Sequence, residues 1–203
     1  MNSKLSAYIE NILQQEITDD RKEILQPLVD YIQQKAKDGK PVHLNFICTH
    51  NSRRSHLAQV WAQVASHYYA VSDTQCYSGG TEITALFPKI AETLSDVGFD
   101  MWKLSEAENS IYAIKYDENT LPIIGFSKKY DDAFNPVNNF AAIMTCSQAD
   151  GGCPFILGAE KRVSITFEDP KISDHTAEQG KVYHERSLQI ASEMFYVFSK
   201  IKK

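Results

Sequence analysis

The spacing of apolar positions changes several times along this chain, and each change marks an expected element. Leu5, Tyr8, Ile9 and Ile12 recur at helical intervals, and Ile24, Leu25, Leu28, Val29 and Ile32 do so again. Asp19 and Asp20 stand where a first helical turn favours acids, and Pro27 either starts or kinks that second helix. The run Val42-His43-Leu44-Asn45-Phe46-Ile47 is short, partly β-branched and bounded by Gly39 and Pro41, which predicts a buried strand over about 42–48. Leu57, Ala58, Val60, Trp61 and Val64 return to helical spacing and predict a helix over about 54–68. Cys76-Tyr77-Ser78 before Gly79-Gly80 reads as a second strand, and Pro88 to Val97 as a helix stopped by Gly98. Buried strands are expected at Ile123–Phe126, Ala141–Met144 and Val163–Phe167, followed by a helix over about 176–200 that buries Leu188, Ala191, Phe195 and Phe198. Such alternation implies an α/β fold with a parallel sheet covered on both faces. Residues 101–140 mix charge, Asn and aromatics (Tyr112, Tyr116, Tyr130, Phe134) and read as a partly ordered lid or an extra packing element.

Composition narrows the class. The chain has 203 residues, enough for one domain with a substantial core. Its net charge of −5 argues against nonspecific nucleic-acid or membrane binding. No apolar run reaches bilayer length, and Met1-Asn2-Ser3-Lys4 leads into a charged amphipathic segment rather than a signal peptide, so a cytoplasmic location is expected. Four cysteines are too few for a disulfide scaffold and are expected as reduced thiols with separate roles.

The densest chemistry lies in Cys48-Thr49-His50-Asn51-Ser52-Arg53-Arg54-Ser55. This loop joins the end of an expected strand to the start of an expected helix, where free amides and the helix dipole favour an anion. Both the dipole and a nearby guanidinium favour a thiolate at Cys48. Arg54 would fork onto two oxygens of a tetrahedral oxyanion, with Thr49, His50, Asn51, Ser52 and Arg53 completing the cradle. Ser55 is suited to donate to the sulfur and Asn51 to brace the loop. The chemistry expected is in-line attack by sulfur on phosphorus or arsenic.

Two further groups extend that chemistry. Cys146 also follows an expected strand, and Cys153 comes seven residues later across a loop containing Gly151 and Gly152. Two thiols on one flexible loop are able to carry an exchangeable disulfide, whereas the lack of His or further Cys at ligand spacing argues against zinc or any other metal. Glu168-Asp169-Pro170 puts carboxyl groups after the last strand, either as an acid or base for the reaction or as a helix-preceding turn. Cys76 lies outside these groups and is expected in the core.

In order, Cys48 through Ser55, Tyr77-Ser78-Gly79-Gly80, Cys146 through Cys153-Pro154 and Phe167-Glu168-Asp169-Pro170 resemble the thioredoxin-coupled arsenate reductases built on the low-molecular-weight protein tyrosine phosphatase fold. The match spans about 42–100 and 141–201. It implies a flavodoxin-like three-layer fold with a central four-stranded parallel sheet; 101–140 and an N-terminal helical extension over 1–40 fall outside the match, and 41–203 is expected as the catalytic domain. It also implies Cys48 as nucleophile, Arg54 and Ser55 as stabilisers, Cys146 as second attacker, Cys153 as resolver and Asp169 as acid or base. No bound cofactor is implied; arsenate or phosphate would be the oxyanion and thioredoxin the electron donor. Three positions depart from the pattern: His50 replaces a usual glycine, Arg53 an often-found cysteine, and Gln59 a glutamate that helps a loop cation site, which argues against potassium dependence. A phosphatase would need only Cys48, Arg54 and Asp169, whereas a reductase needs Cys146 and Cys153 as well. An oxyanion sensor without catalysis is the third reading, kept open by Arg53 and His50.

Overall fold

The computed structural model describes residues 1–152 and 155–202. Strands β1 (Val42–Cys48), β2 (Thr74–Gly80), β6 (Phe140–Met144) and β7 (Ala159–Ser164) form one parallel sheet in the order β2-β1-β6-β7. This is the expected four-stranded layer. Side chains alternate across it: Leu44, Phe46, Ala141, Ile143 and Val163 face a large apolar cluster, whereas Ile47, Phe140, Ala142 and Met144 face a smaller one.

The large cluster is built by helices. α3 (Arg54–Tyr68) and α6 (Gln179–Ser199) pack on each other and contribute Leu57, Trp61, Val64, Ile190, Phe195 and Phe198. α1 (Ser3–Leu13), α2 (Asp19–Lys37) and α4 (Pro88–Asp96) add Leu5, Ile9, Leu25, Leu28, Ile32, Ile90 and Leu94 to the same cluster. Both N-terminal helices begin where local chemistry dictates: the side chains of Asn2 and Thr18 accept from the amides of Leu5 and Arg21, and Asp19 and Asp20 occupy the first turn of α2. Pro27 lies inside α2 and does not start it. On the opposite face only the short α5 (Ser147–Gly152) covers the sheet among the described helices, and Ala149 is its one buried side chain.

Four expectations need correction. Ile123–Gly125 (β5) does not join the parallel sheet; with β3 (Asp100–Lys103) and β4 (Tyr112–Lys115) it makes a separate antiparallel sheet of three strands. A short apolar run reports burial but not the neighbour it pairs with. Leu188 is only partly buried, and α6 begins at Gln179 because Thr176 and Ser173 still close a turn before it. The strand expected at 163–167 is shifted earlier, although the amides of Ile165 and Phe167 still donate to Met144 and Thr145. Cys76 lies in the core, opposite Leu44, and burial pushes its thiol well up from the ordinary range. Among the described residues no helix is long and apolar enough to cross a membrane.

Candidate active site at the strand ends

Strand order decides which residues meet. Neighbouring strands in the order β2, β1, β6, β7 end at one edge of the sheet and deliver, side by side, Gly79-Gly80, Cys48, Cys146 and the Phe167–Asp169 segment. Register fixes the two thiols: Ile47 pairs with Met144, and the amide and hydroxyl of Thr145 both donate to the Ile47 carbonyl. Cys48 and Cys146 therefore emerge beside each other, 4% and 1% exposed, within one apolar cluster. The Thr49 hydroxyl lies 3.4 Å from the Cys146 sulfur and spans the two strand ends.

The loop around Cys48 is braced from beneath. Ser55 Oγ sits 3.1 Å from the Cys48 sulfur and accepts a hydrogen bond of 2.9 Å from Asn51 Nδ2. With its lone pair engaged by Asn51, the Ser55 proton is free to point at sulfur. Asn51 adopts a positive φ of 43°, a conformation that Asn tolerates better than most residues, and its Oδ1 accepts from the Lys128 amide at 3.0 Å. The Ser127 hydroxyl holds the His50 carbonyl at 2.9 Å. These two contacts give the 101–140 region its role here: of the two readings, part of it is a packing element under the loop.

Gly79 and Gly80 are required by closeness. A Cβ on Gly80 would lie 2.7 Å from the Thr49 carbonyl and 2.8 Å from the Asn51 amide, and one on Gly79 only 2.3 Å from Tyr130 Cα. Beneath the loop, His56 is fully buried with Nδ1 3.2 Å from Ser78 Oγ; burial first, then the nearby Lys128 charge, lowers it to about 3. Burial also lowers Lys128, to about 8, with Asp132 opposing the shift, and its ammonium lies 4.4 Å from the Phe126 ring centre.

The arginines divide their work. Arg54 opens α3, which has no side-chain cap, so the first amides of the helix remain turned to the loop. Its guanidinium donates to the Phe167 carbonyl at 2.8 Å and to Asp169 at 2.5 Å. Arg53, expected to add charge at the anion, donates instead to Asp174 (2.6 Å) and to the Tyr183 hydroxyl (2.7 Å), and its guanidinium carbon stacks 3.9 Å from the Phe87 ring centre. The His50 ring turns outward to Glu82 at 3.3 Å. Gln59 donates to the carbonyls of Cys76 and Ile124 under the sheet. Ser52 lines the hollow above Cys48 with Thr49, His50, Arg53, Arg54 and Asp169, and its carbonyl accepts from the Phe87 amide at 3.0 Å.

Cys146 stands immediately before α5, and the Ala149 amide approaches its sulfur to 3.4 Å. Cys153, the expected resolver, lies outside the described residues. Sequence reasoning did not find Asp174, Tyr183, Phe87, Ser127 or Lys128. None of them sits at a motif spacing, and only the fold brings them to the loop.

A parallel sheet with a cysteine loop, an arginine opening the following helix and an aspartate in the segment beyond β7 defines the class of cysteine-dependent oxyanion-handling proteins. No family model matches the chain. Curated relatives include arsenate reductase 2 of Staphylococcus haemolyticus, 31% identical over 134 residues that make up 66% of this chain and 80% of that protein. Arsenate reductase 2 of Staphylococcus epidermidis is 30% identical over 133 residues, with the same coverage of 66% and 80%. Among solved structures, the low-molecular-weight phosphotyrosine phosphatase of Vibrio cholerae superposes with a TM-score of 0.53 at 14% identity, over 78% of this chain and 94% of that one. Arsenate reductase from Archaeoglobus fulgidus gives 0.51 at 15% identity, over 77% and 98%. The chain belongs to the arsenate reductase family, and it shares the fold of the low-molecular-weight phosphotyrosine phosphatase structure.

Proposed function

We propose that this protein reduces arsenate to arsenite through a three-cysteine relay. Cys48 attacks arsenate held by Arg54 and the amides of Thr49 to Arg53, and Asp169 gives a proton to the departing oxygen, so that water leaves and a sulfur–arsenic bond forms. Cys146 then attacks the Cys48 sulfur; the sulfur–arsenic bond breaks, its electron pair stays on arsenic, and arsenite departs as a Cys48–Cys146 disulfide forms. Arsenic gains the two electrons that the two thiols lose. Cys153 next attacks Cys146, which frees Cys48 and leaves a 146–153 disulfide for a dithiol donor, thioredoxin. A cytoplasmic setting, where such donors keep thiols reduced, suits this relay. Residues 41–203 would carry it, with 1–40 as a helical extension.

The supporting observation is the second thiol: Cys146 lies one strand away from Cys48, in the same cluster and bridged by Thr49. Hydrolysis of phosphate monoesters, the second reading, has no use for it; Cys48, Arg54 and Asp169 would suffice. A non-catalytic sensor draws little support, since Arg53 and His50 are engaged by Asp174 and Glu82. The test is steady-state and single-turnover arsenate reduction with thioredoxin, thioredoxin reductase and NADPH. Cys153→Ser should trap a Cys48–Cys146 disulfide after about one turnover, visible by mass spectrometry. Cys146→Ser should abolish multiple turnover yet leave aryl phosphate hydrolysis largely intact. Undiminished arsenate turnover in both variants would sink the relay, and brisk ester hydrolysis without arsenate turnover in the wild type would install the phosphatase reading.

A further inference from the structure

Arg53 and Arg54 are consecutive, and they grip opposite ends of one short turn. The 3-10 turn Pro170–Ser173 begins at Asp169, whose Oδ1 accepts from the Lys171 amide, and closes at Asp174, whose amide donates to the Lys171 carbonyl. Arg54 holds the first end through Asp169, and Arg53 holds the second through Asp174. Within the turn, Ser173 Oγ donates to the Pro170 carbonyl at 2.8 Å and Pro170 restricts the backbone. A shift at one end is therefore carried to the other.

The two grips have different fates when substrate binds. The hollow above Cys48 measures about 10 Å³, the room of a single water molecule. A tetrahedral oxyanion needs more, and it needs the Arg54 fork, so Arg54 must loosen its hold on Asp169. The carboxylate then loses the contact that ties it to the loop at the moment it is required as an acid. The Arg53 grip is unaffected by that exchange. Its guanidinium lies over the Phe87 ring, Tyr183 accepts from Arg53 Nε and donates to Asp174 at 2.6 Å, and Gln179 adds a bond to Asp174 at 3.0 Å. Burial opposes the charge on Asp174, but bonds from Tyr183, Gln179 and Arg53 outweigh it and hold the carboxyl below the usual range.

We propose that Arg53, Asp174 and Tyr183 form a strut between the oxyanion loop and the acid-bearing turn, making Arg53 a positioning residue that keeps Asp169 over Cys48 once Arg54 has turned to the anion. The inference rests on the reading of Asp169 as the proton donor. It gives Arg53 a task on the side of the loop facing α6, distinct from direct contact with substrate.

The test follows the first Cys48–Cys146 disulfide in single-turnover reactions with arsenate, in a double-mutant cycle. Arg53→Met should slow its formation by about 10- to 100-fold, as a misplacement near 1 Å does. Arg53→Lys, which keeps a charge for Asp174, should recover part of that loss. Tyr183→Phe, a change that leaves the ring packing in place, should cost about 3- to 10-fold, the value of one hydrogen bond. Arsenate should protect Cys48 from iodoacetamide equally well in all three, because Arg54 and the loop amides remain. The decisive comparison is Arg53→Met/Asp169→Asn, which should be no slower than Asp169→Asn alone. If Arg53→Met cannot be purified folded, Tyr183→Phe/Asp169→Asn carries the same cycle. Losses that multiply, or single variants at the wild-type rate beside a slowed Asp169→Asn, overturn the strut alone. An Asp169→Asn protein as fast as wild type overturns the acid assignment and the strut together.

Discussion

The two thiols sit on neighbouring strand ends in one apolar cluster, yet the segments that carry them are held differently. Cys48 lies in a cradle whose polar atoms are tied down: Asn51 to Ser55 and Lys128, the His50 carbonyl to Ser127, and Gly80 pressed against the loop backbone. Cys146 immediately precedes a helix of six residues with one buried side chain, and added methyl groups on Gly151 or Gly152 would meet nothing within 4 Å. The contrast suits the two jobs proposed for them. Holding a developing oxyanion rewards fixed dipoles that need no reorganisation. Handing a disulfide from one sulfur to the next favours a sulfur that can travel, and an arm made of a short helix with one buried side chain suits that.

The largest effect should come from breaking the cradle at its one forked donor. Arg54→Lys keeps the charge but loses the planar pair of N–H groups that spans Phe167 O and Asp169 and would span two anion oxygens. Arsenate reduction should fall by about 10²- to 10³-fold, as when a preorganised oxyanion donor is lost. Turnover within a few-fold of wild type would mean that the cradle does not grip its anion through Arg54.

A matched pair of glycine substitutions sharpens the contrast. Gly80→Ala drives a methyl group against Glu82 O (2.6 Å), Thr49 O and Asn51 N, all backbone atoms that cannot rotate aside. Overpacking of this kind costs about 1–3 kcal/mol of stability, read by urea denaturation, and displacement of the loop should slow the first disulfide by about 10²-fold. Gly151→Ala meets open space in a helix, so it should stabilise by up to about 1 kcal/mol and leave arsenate protection of Cys48 unchanged. Its effect should be confined to the later handover, where lost backbone freedom slows exchange. Equal penalties in the two variants would dissolve the distinction between cradle and arm.

The same division explains what the chain announced and what it withheld. Strand β1, helix α3 and the loop between them were legible because a buried run, a change of period and a cysteine followed six positions on by arginine all lie within one continuous stretch. Asn51 and Ser55 were legible as braces for the same reason. The other half of the cradle was not, because it arrives from far along the chain: Ser127 and Lys128 reach the loop only after β5 has left the expected parallel sheet for an antiparallel one. Periodicity registers that Ile123 is buried, but it cannot tell which sheet buries it. Arg53 failed differently. Its charge next to the anion site suggested substrate, and only the placement of Asp174 and Tyr183, 121 and 130 residues away, shows the guanidinium already engaged. Local chemistry reads well when partners are close in sequence, and a charge invites the nearest visible partner when the real one is distant.

The remaining expected effect concerns acidity, and it should fall on the cradle alone. His56 is buried beneath the loop and titrates at about 3 in the folded protein, lowered by burial and by Lys128. In the unfolded chain a histidine titrates near 6.5, so below that pH the unfolded state binds a proton that the folded state refuses. Stability from this site is therefore complete above pH 6.5 and falls as pH drops toward the folded value. Between pH 6.5 and pH 5 the loss should be about 2 kcal/mol. It should appear as the difference between wild type and His56→Gln, because glutamine does not titrate and the variant lacks the loss. Urea denaturation at the two pH values measures it directly, with the other carboxylates and histidines common to both proteins and cancelling. α5 holds no histidine, so the arm supplies no matching term. A wild-type protein that loses no more stability on acidification than His56→Gln would show that the floor of the cradle admits the proton, and with it enough water or movement to undo the rigidity ascribed to it.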